Sequence, residues 1–195
     1  MASPASRRAR AARQLAQAAA SVALGLALSA CHGEESGASL DLVLPEGVGR
    51  RVELKPRAAF AEYVELPELR RELRVTLASY PLSCDRYVAP GPTDLLFVLT
   101  LVGPPREAFV PGTVPLGTAP AADAGAPQRS TAFAVARQGE RGFDFPSGGT
   151  VELRSVDLSP TGGVGGVLSL EFPGDGSRPA SGAHGKFQAR MCHGG

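Results

Sequence analysis

The sequence contains no tryptophan and only three histidines, three cysteines and two lysines among its 195 residues. A zinc site needs three or four His, Cys or carboxylate ligands held close together, and no segment of the chain supplies such a set. We therefore expect no metal and no other cofactor. Because tryptophan is absent, a hydrophobic core must be built from leucine, valine and the eight phenylalanines.

Positive charge is also scarce once the N-terminus is set aside. Four of the 20 basic residues and none of the 19 acidic ones precede Cys31, so the rest of the chain has 16 basic and 19 acidic residues and a formal net charge of −3. Binding to nucleic acid needs lysine and arginine clustered on one surface. We therefore expect no nucleic-acid partner.

Residues 1–30 have the pattern of an export signal. Four arginines precede an apolar run from Ala18 to Ala30, and the first acidic residue is Glu34. A basic start followed by a short apolar segment is typical of a secretory signal peptide, which we expect to form a helix. The run is shorter than the roughly 20 apolar residues that span a bilayer. We therefore do not expect it to be retained as a transmembrane helix.

The motif Leu28-Ser29-Ala30-Cys31 closes the apolar run and resembles a bacterial lipobox, in which one aliphatic and two small residues precede an obligatory cysteine. The resemblance implies that Cys31 receives a diacylglycerol and becomes the acylated first residue of a lipid-anchored cell-envelope protein. His32 stands where an aspartate would favour retention in the inner membrane, which implies an outer-membrane or surface location. Two alternatives stay open, an ordinary signal cleaved after Ala30 and a mitochondrial-type transit peptide.

Cys84 and Cys192 remain as an even pair once Cys31 is assigned to lipid. In an oxidising compartment two such cysteines are expected to form a disulfide. On the chain-entropy account, a bond that closes so long a loop stabilises the fold by about 4–5 kcal/mol. Two free buried thiols are the alternative.

The composition favours an all-β fold. The 24 glycines and 17 prolines make up about a fifth of the chain, which suits frequent turns between short strands. A polar tether at residues 31–38 is followed by about eight short apolar or alternating segments separated by turn residues. We therefore predict one domain over residues 39–195, either a β-sandwich or an open barrel-like sheet.

The strands are predicted from alternating or continuously apolar segments. Leu95–Val102 carries no charge, which predicts a central strand covered on both faces. The alternation changes phase within Thr150–Leu158, which predicts a β-bulge. Residues 103–130 are rich in Pro, Gly and Ala and are predicted to form a short edge strand near Val110–Leu116 and a mobile loop. Further strands are predicted at Leu40–Leu44, Val52–Leu54, Leu69–Ala78, Thr131–Ala136, Gly165–Phe172 and Lys186–Cys192, with Ala58–Leu66 either a strand or a short helix.

A second resemblance involves the end of the chain. Gly185, Phe187, Ala189 and Cys192 form a closing Gly-x-Phe-x-Ala-x-x-Cys strand. Together with the lipobox, the mid-chain cysteine and the turn Pro111-Gly112-Thr113, this pattern resembles uncharacterised bacterial surface lipoproteins. The resemblance implies no known activity.

The sequence predicts no catalytic residue. His184 is the one histidine placed to lie within the fold, and a Ser-His-Asp hydrolase would have to combine it with Asp144, Asp157 or Asp175. The Gly-x-Ser-x-Gly elbow of such enzymes is missing. The segment Asp85-Arg86-Tyr87 suits either a binding rim or a solvated loop.

We therefore expect a non-enzymatic binding or structural module, held at the membrane by its N-terminal lipid, with a protein or another envelope component as its partner. An extracytoplasmic hydrolase with a loop-borne site is the alternative.

Overall fold

The computed structural model describes residues 38–46, 49–65, 71–86, 88–104, 107–117, 130–145, 148–172, 174, 177 and 179–192. The predicted signal peptide, Cys31 and nearly all of the predicted tether lie outside these residues, as do parts of the predicted loop at 103–130. The described ranges contain no helix. Accordingly, they offer no helix with the length and apolar character needed to cross a membrane.

Eleven β-strands form the described part of the chain, where about eight were predicted. They belong to one sheet that is curled and open, so the all-β prediction is confirmed and the open barrel-like alternative fits better than a two-sheet sandwich. The strands are β1 Ser39–Leu44, β2 Arg50–Leu54, β3 Ala58–Glu65, β4 Arg71–Ala78, β5 Leu95–Gly103, β6 Gly112–Pro115, β7 Thr131–Gln138, β8 Arg141–Phe145, β9 Thr150–Val156, β10 Gly163–Phe172 and β11 Ser181–Met191.

The sheet follows the order β6-β9-β10-β11-β3-β4-β5-β7-β8, and β1 and β2 branch from it at β11. β11 pairs antiparallel with β10 along Ser181–Arg190. On its other edge β11 pairs with β1 through Gly182–Lys186 and then, in parallel, with β3 at Arg190 and Met191. One strand therefore connects three neighbours and joins the two halves of the sheet.

Curling brings distant parts of the sheet together. Leu116, directly after β6, forms an isolated parallel bridge with Ala132 of β7. A small ionic cluster joins two turns, since Glu46 of the β1–β2 turn lies 3.1 Å from both Arg50 and Arg141, and Arg50 also donates to Gln138 at the end of β7. These contacts hold the open sheet in its curled form around one inward face.

That inward face carries the hydrophobic core. The alternation of β4 is observed in part: Leu73, Val75 and Leu77 are buried and Arg74 is exposed, but Thr76 on the outward side is buried as well. Period-two patterning of this kind places one set of side chains on the core face of a sheet. Phe187, Ala189 and Met191 of β11 also face inward and are buried.

The prediction that β5 is covered on both faces is correct in part. Phe97 and Leu99 are buried in the main core, and Leu96 on the opposite face is buried against Ala78 and Tyr80. Val98 and the other outward residues further along β5 are only half-buried. β5 is therefore covered on both faces only near its start, because the packing side chains outside the sheet come from the β4–β5 connection.

The predicted bulge in β9 is confirmed. Gly165 of β10 lies opposite Ser155, whereas the next residue, Gly166, lies opposite Leu153, so Arg154 has no partner on β10. Arg154 and Ser155 are consequently both exposed. One extra residue on β9 accounts for the change of phase in its sequence.

Gly185 allows β1 and β11 to approach each other. Its backbone has φ +144°, and an added Cβ would overlap the carbonyl oxygen of Ser39 and lie 3.1 Å from the Cα of Leu40.

We expect Gly185→Ala to lower the free energy of unfolding by about 1–3 kcal/mol, since it adds backbone strain at a paired position. Gly142→Ala is the matched control, because nothing lies within 4 Å of its added Cβ. Urea unfolding of both variants checks the prediction, and equal midpoints would contradict it.

Candidate functional site

A row of polar side chains crosses the outer face of four strands. Asp41 of β1 lies opposite Glu53 of β2 and also opposite His184 of β11. His184 in turn lies opposite Ser169 of β10. These four residues, which we call the polar row, face outward because their neighbours along each strand, such as Leu40, are buried in the core.

The polar row borders an open groove of about 1010 Å³. Asp41, Glu53 and His184 line the groove together with Arg51 and Glu171. Gly182 also lines the groove. The imidazole of His184 lies beside it, because a Cβ added at Gly182 would be 3.5 Å from the Nε2 atom of His184. The groove thus combines three carboxylates with an arginine and a histidine on a surface of hydrogen-bonded strands.

His184 contacts an acidic side chain on the neighbouring strand. Its Nε2 atom lies 3.5 Å from Oε1 of Glu171, and the two side chains are 38% and 79% exposed. Glu53 is already engaged, because it accepts a hydrogen bond from Ser39 Oγ at 3.2 Å and pairs with Lys55 at 3.1 Å. Side-chain contacts this exposed contribute little to the stability of a fold.

The aspartates considered for a hydrolase are placed elsewhere. Asp144 lies on β8 opposite Val135. Asp157 lies after β9 and accepts a hydrogen bond from the backbone N–H of Ser159 at 3.0 Å, which lowers the pKa of this exposed carboxyl. Asp175 is outside the described residues. Within the part of the chain that the structure describes, Glu171 is the one carboxylate within 4 Å of His184.

The structure instead brings Ser169, His184 and Asp41 into adjacent positions, which the sequence analysis missed. Each residue occupies an outward position in an alternating strand, but the pairing of β1 with β11 joins distant segments that periodicity cannot match. Acyl transfer would also need backbone N–H donors aimed at an oxyanion. Around Ser169 and His184, β10 and β11 are each paired with a neighbouring strand on both edges, so the backbone N–H groups there lie within the ladders.

The predicted disulfide partners lie together at another place in the fold. Cys84, in the β4–β5 connection, and Cys192, directly after β11, are at disulfide-bonding distance with their Cα atoms 5.6 Å apart, which agrees with the usual span of a disulfide. Asp85 and Arg190 line a cavity of about 370 Å³ beside them. Tyr87 is outside the described residues, whereas Arg86 forms an isolated bridge with Ser83.

The described ranges contain no group of three or more His, Cys, Asp or Glu side chains arranged to hold a metal ion. Comparison with known proteins finds no family model, no curated protein and no solved structure that matches this chain. The site therefore has to be interpreted from its own chemistry.

Whether Ser169 acts as a nucleophile activated by His184 can be tested directly. A serine-directed fluorophosphonate is expected to label the protein no more than it labels Ser169→Ala, because Nε2 of His184 lies 3.5 Å from the carboxylate of Glu171. Peptide mass spectrometry after labelling measures this. Labelling at Ser169 that disappears in His184→Gln would contradict the prediction and favour the hydrolase.

Proposed function

We propose that this chain is a lipid-anchored cell-envelope protein whose β-domain is a non-enzymatic binding or structural module. The observation that carries the binding role is the open groove along the polar row, where carboxylates, an arginine and a histidine from β1, β2, β10 and β11 converge. Hydrogen-bonded strands hold these side chains in fixed register. Such pre-organisation lowers the entropy lost when a partner binds.

The charges of the groove indicate the kind of partner. Asp41 and Glu171 provide negative charge, and Arg51 at the same groove provides positive charge. Charged groups at an interface contribute specificity by matching groups of opposite sign on the partner. A protein or other envelope component with exposed groups of both signs fits this surface, and nucleic acid does not, because the chain after Cys31 is mildly acidic.

Two features support a location in the cell envelope. Leu28-Ser29-Ala30-Cys31 resembles a lipobox, and the arginine-rich segment before it resembles the start of an export signal. Cys84 and Cys192 lie at bonding distance, and disulfides persist mainly in oxidising, extracytoplasmic compartments. A lipid on Cys31 would hold the β-domain at the membrane surface.

The anchor is tested by changing the cysteine that would carry it. Cys31→Ala is expected to move the protein from the membrane to the soluble fraction, because no acyl chain can then be attached. Ser29→Ala is the matched control, since it keeps a small residue within the motif and should remain membrane-bound. Mass spectrometry of the mature protein should show a diacylglyceryl group on Cys31. Unchanged fractionation of Cys31→Ala, or a mature chain with an unmodified Cys31, would contradict the anchor.

A further inference from the structure

The contact between β11 and β3 is the shortest strand pairing among the described residues. It consists of two register pairs, Arg190 with Phe60 and Met191 with Ala61. One further hydrogen bond extends it, from the backbone N–H of Cys192 to the carbonyl oxygen of Ala61 at 2.7 Å. The other pairings between named strands contain four or more register pairs. We call this short contact the β3–β11 seam.

The two cysteines lie across this seam. Cys192 directly follows β11, and Cys84 belongs to the connection that leaves β4, the strand paired along all of β3. A bond between them therefore ties the end of β11 to the β3–β4 side of the sheet. The seam has two register pairs and one covalent link, whereas β11 is held to β10 by ten register pairs.

The two cysteines are also accessible. Both residues are half-buried rather than buried, and both line the cavity of about 370 Å³ that contains Asp85, Thr161 and Arg190. We expect a small dithiol to reach the sulfur atoms through this cavity without prior unfolding. Apolar residues lie just inside, since Ala61, Ala189 and Met191 are buried at the seam.

We propose that the Cys84–Cys192 disulfide is a redox-sensitive latch on the β3–β11 seam. A dithiol reductant donates two electrons and two protons, the S–S bond breaks, Cys84 and Cys192 become thiols, and the dithiol becomes a disulfide. The end of β11 then separates from β3 and uncovers the apolar residues at the seam. The pairing of β11 with β10 and β1 persists, because it does not depend on the bond.

Hydrogen exchange read residue by residue distinguishes this latch from a general stabiliser. The full-length protein, purified in its oxidised and folded form, is compared before and after addition of dithiothreitol. We expect exchange of the Cys192 amide, which bonds across the seam to Ala61, to accelerate at least tenfold. The Lys186 amide lies in the strand segment paired with both β10 and β1, and its exchange should change less than twofold.

A variant without the bond provides the second arm. Cys84→Ala combined with Cys192→Ala should show the same selective acceleration at residue 192 without any reductant. If this variant fails to fold, reduction of the folded protein still decides the question. Unchanged exchange at Cys192 after complete reduction would overturn the latch, because the hydrogen bonds alone would then hold the seam. Equal acceleration of the Cys192 and Lys186 amides would also overturn it, since the bond would then stabilise the whole domain.

Discussion

The fold depends on backbone pairing along both edges of β11. One edge is occupied by β10, and the other is shared by β1 and β3. Two glycines of β11 lie where a neighbouring backbone comes unusually close. An added Cβ at Gly185 would overlap the carbonyl oxygen of Ser39, and one at Gly182 would lie 2.7 Å from the carbonyl oxygen of Leu170. The same strand presents His184 outward and Phe187 inward, so one element serves the groove and the core.

Local patterning was enough to predict most strands. The alternation of β4, the inward face of β11 and the bulge in β9 were each visible in the sequence, because side-chain direction in a strand depends only on local backbone geometry. β8 was missed because Arg141–Phe145 is only five residues long, although Phe143 and Phe145 alternate with Asp144. Its assignment depends on pairing with β7 in the structure. The pairing of β1 with β11 was also beyond local patterns, because it joins the two ends of the domain.

In the candidate site, too, single residues could be predicted from the sequence, whereas their neighbours in space could not. His184 could be selected from the sequence as the one histidine within the fold, but its neighbour Glu171 and its register partners Asp41 and Ser169 follow from strand pairing. Asp144 and Asp157, which the sequence also offered, lie on β8 and after β9. The cysteine pair was more accessible to sequence reasoning, because assigning Cys31 to lipid leaves two residues. That they meet across the shortest strand pairing among the described residues could be learned only from the fold.

Residue-resolved hydrogen exchange of the oxidised protein under native conditions is the most direct test of the central role of β11. Amides exchange either through local opening or, in the most stable elements, only through global unfolding. If β11 holds the sheet together, amides from Ala183 to Ala189 should exchange with the free energy of global unfolding, while amides of the edge strand β8 exchange through lower-energy local openings. Exchange of the Ala183–Ala189 amides at lower free energy than those of β4 and β5 would contradict the account.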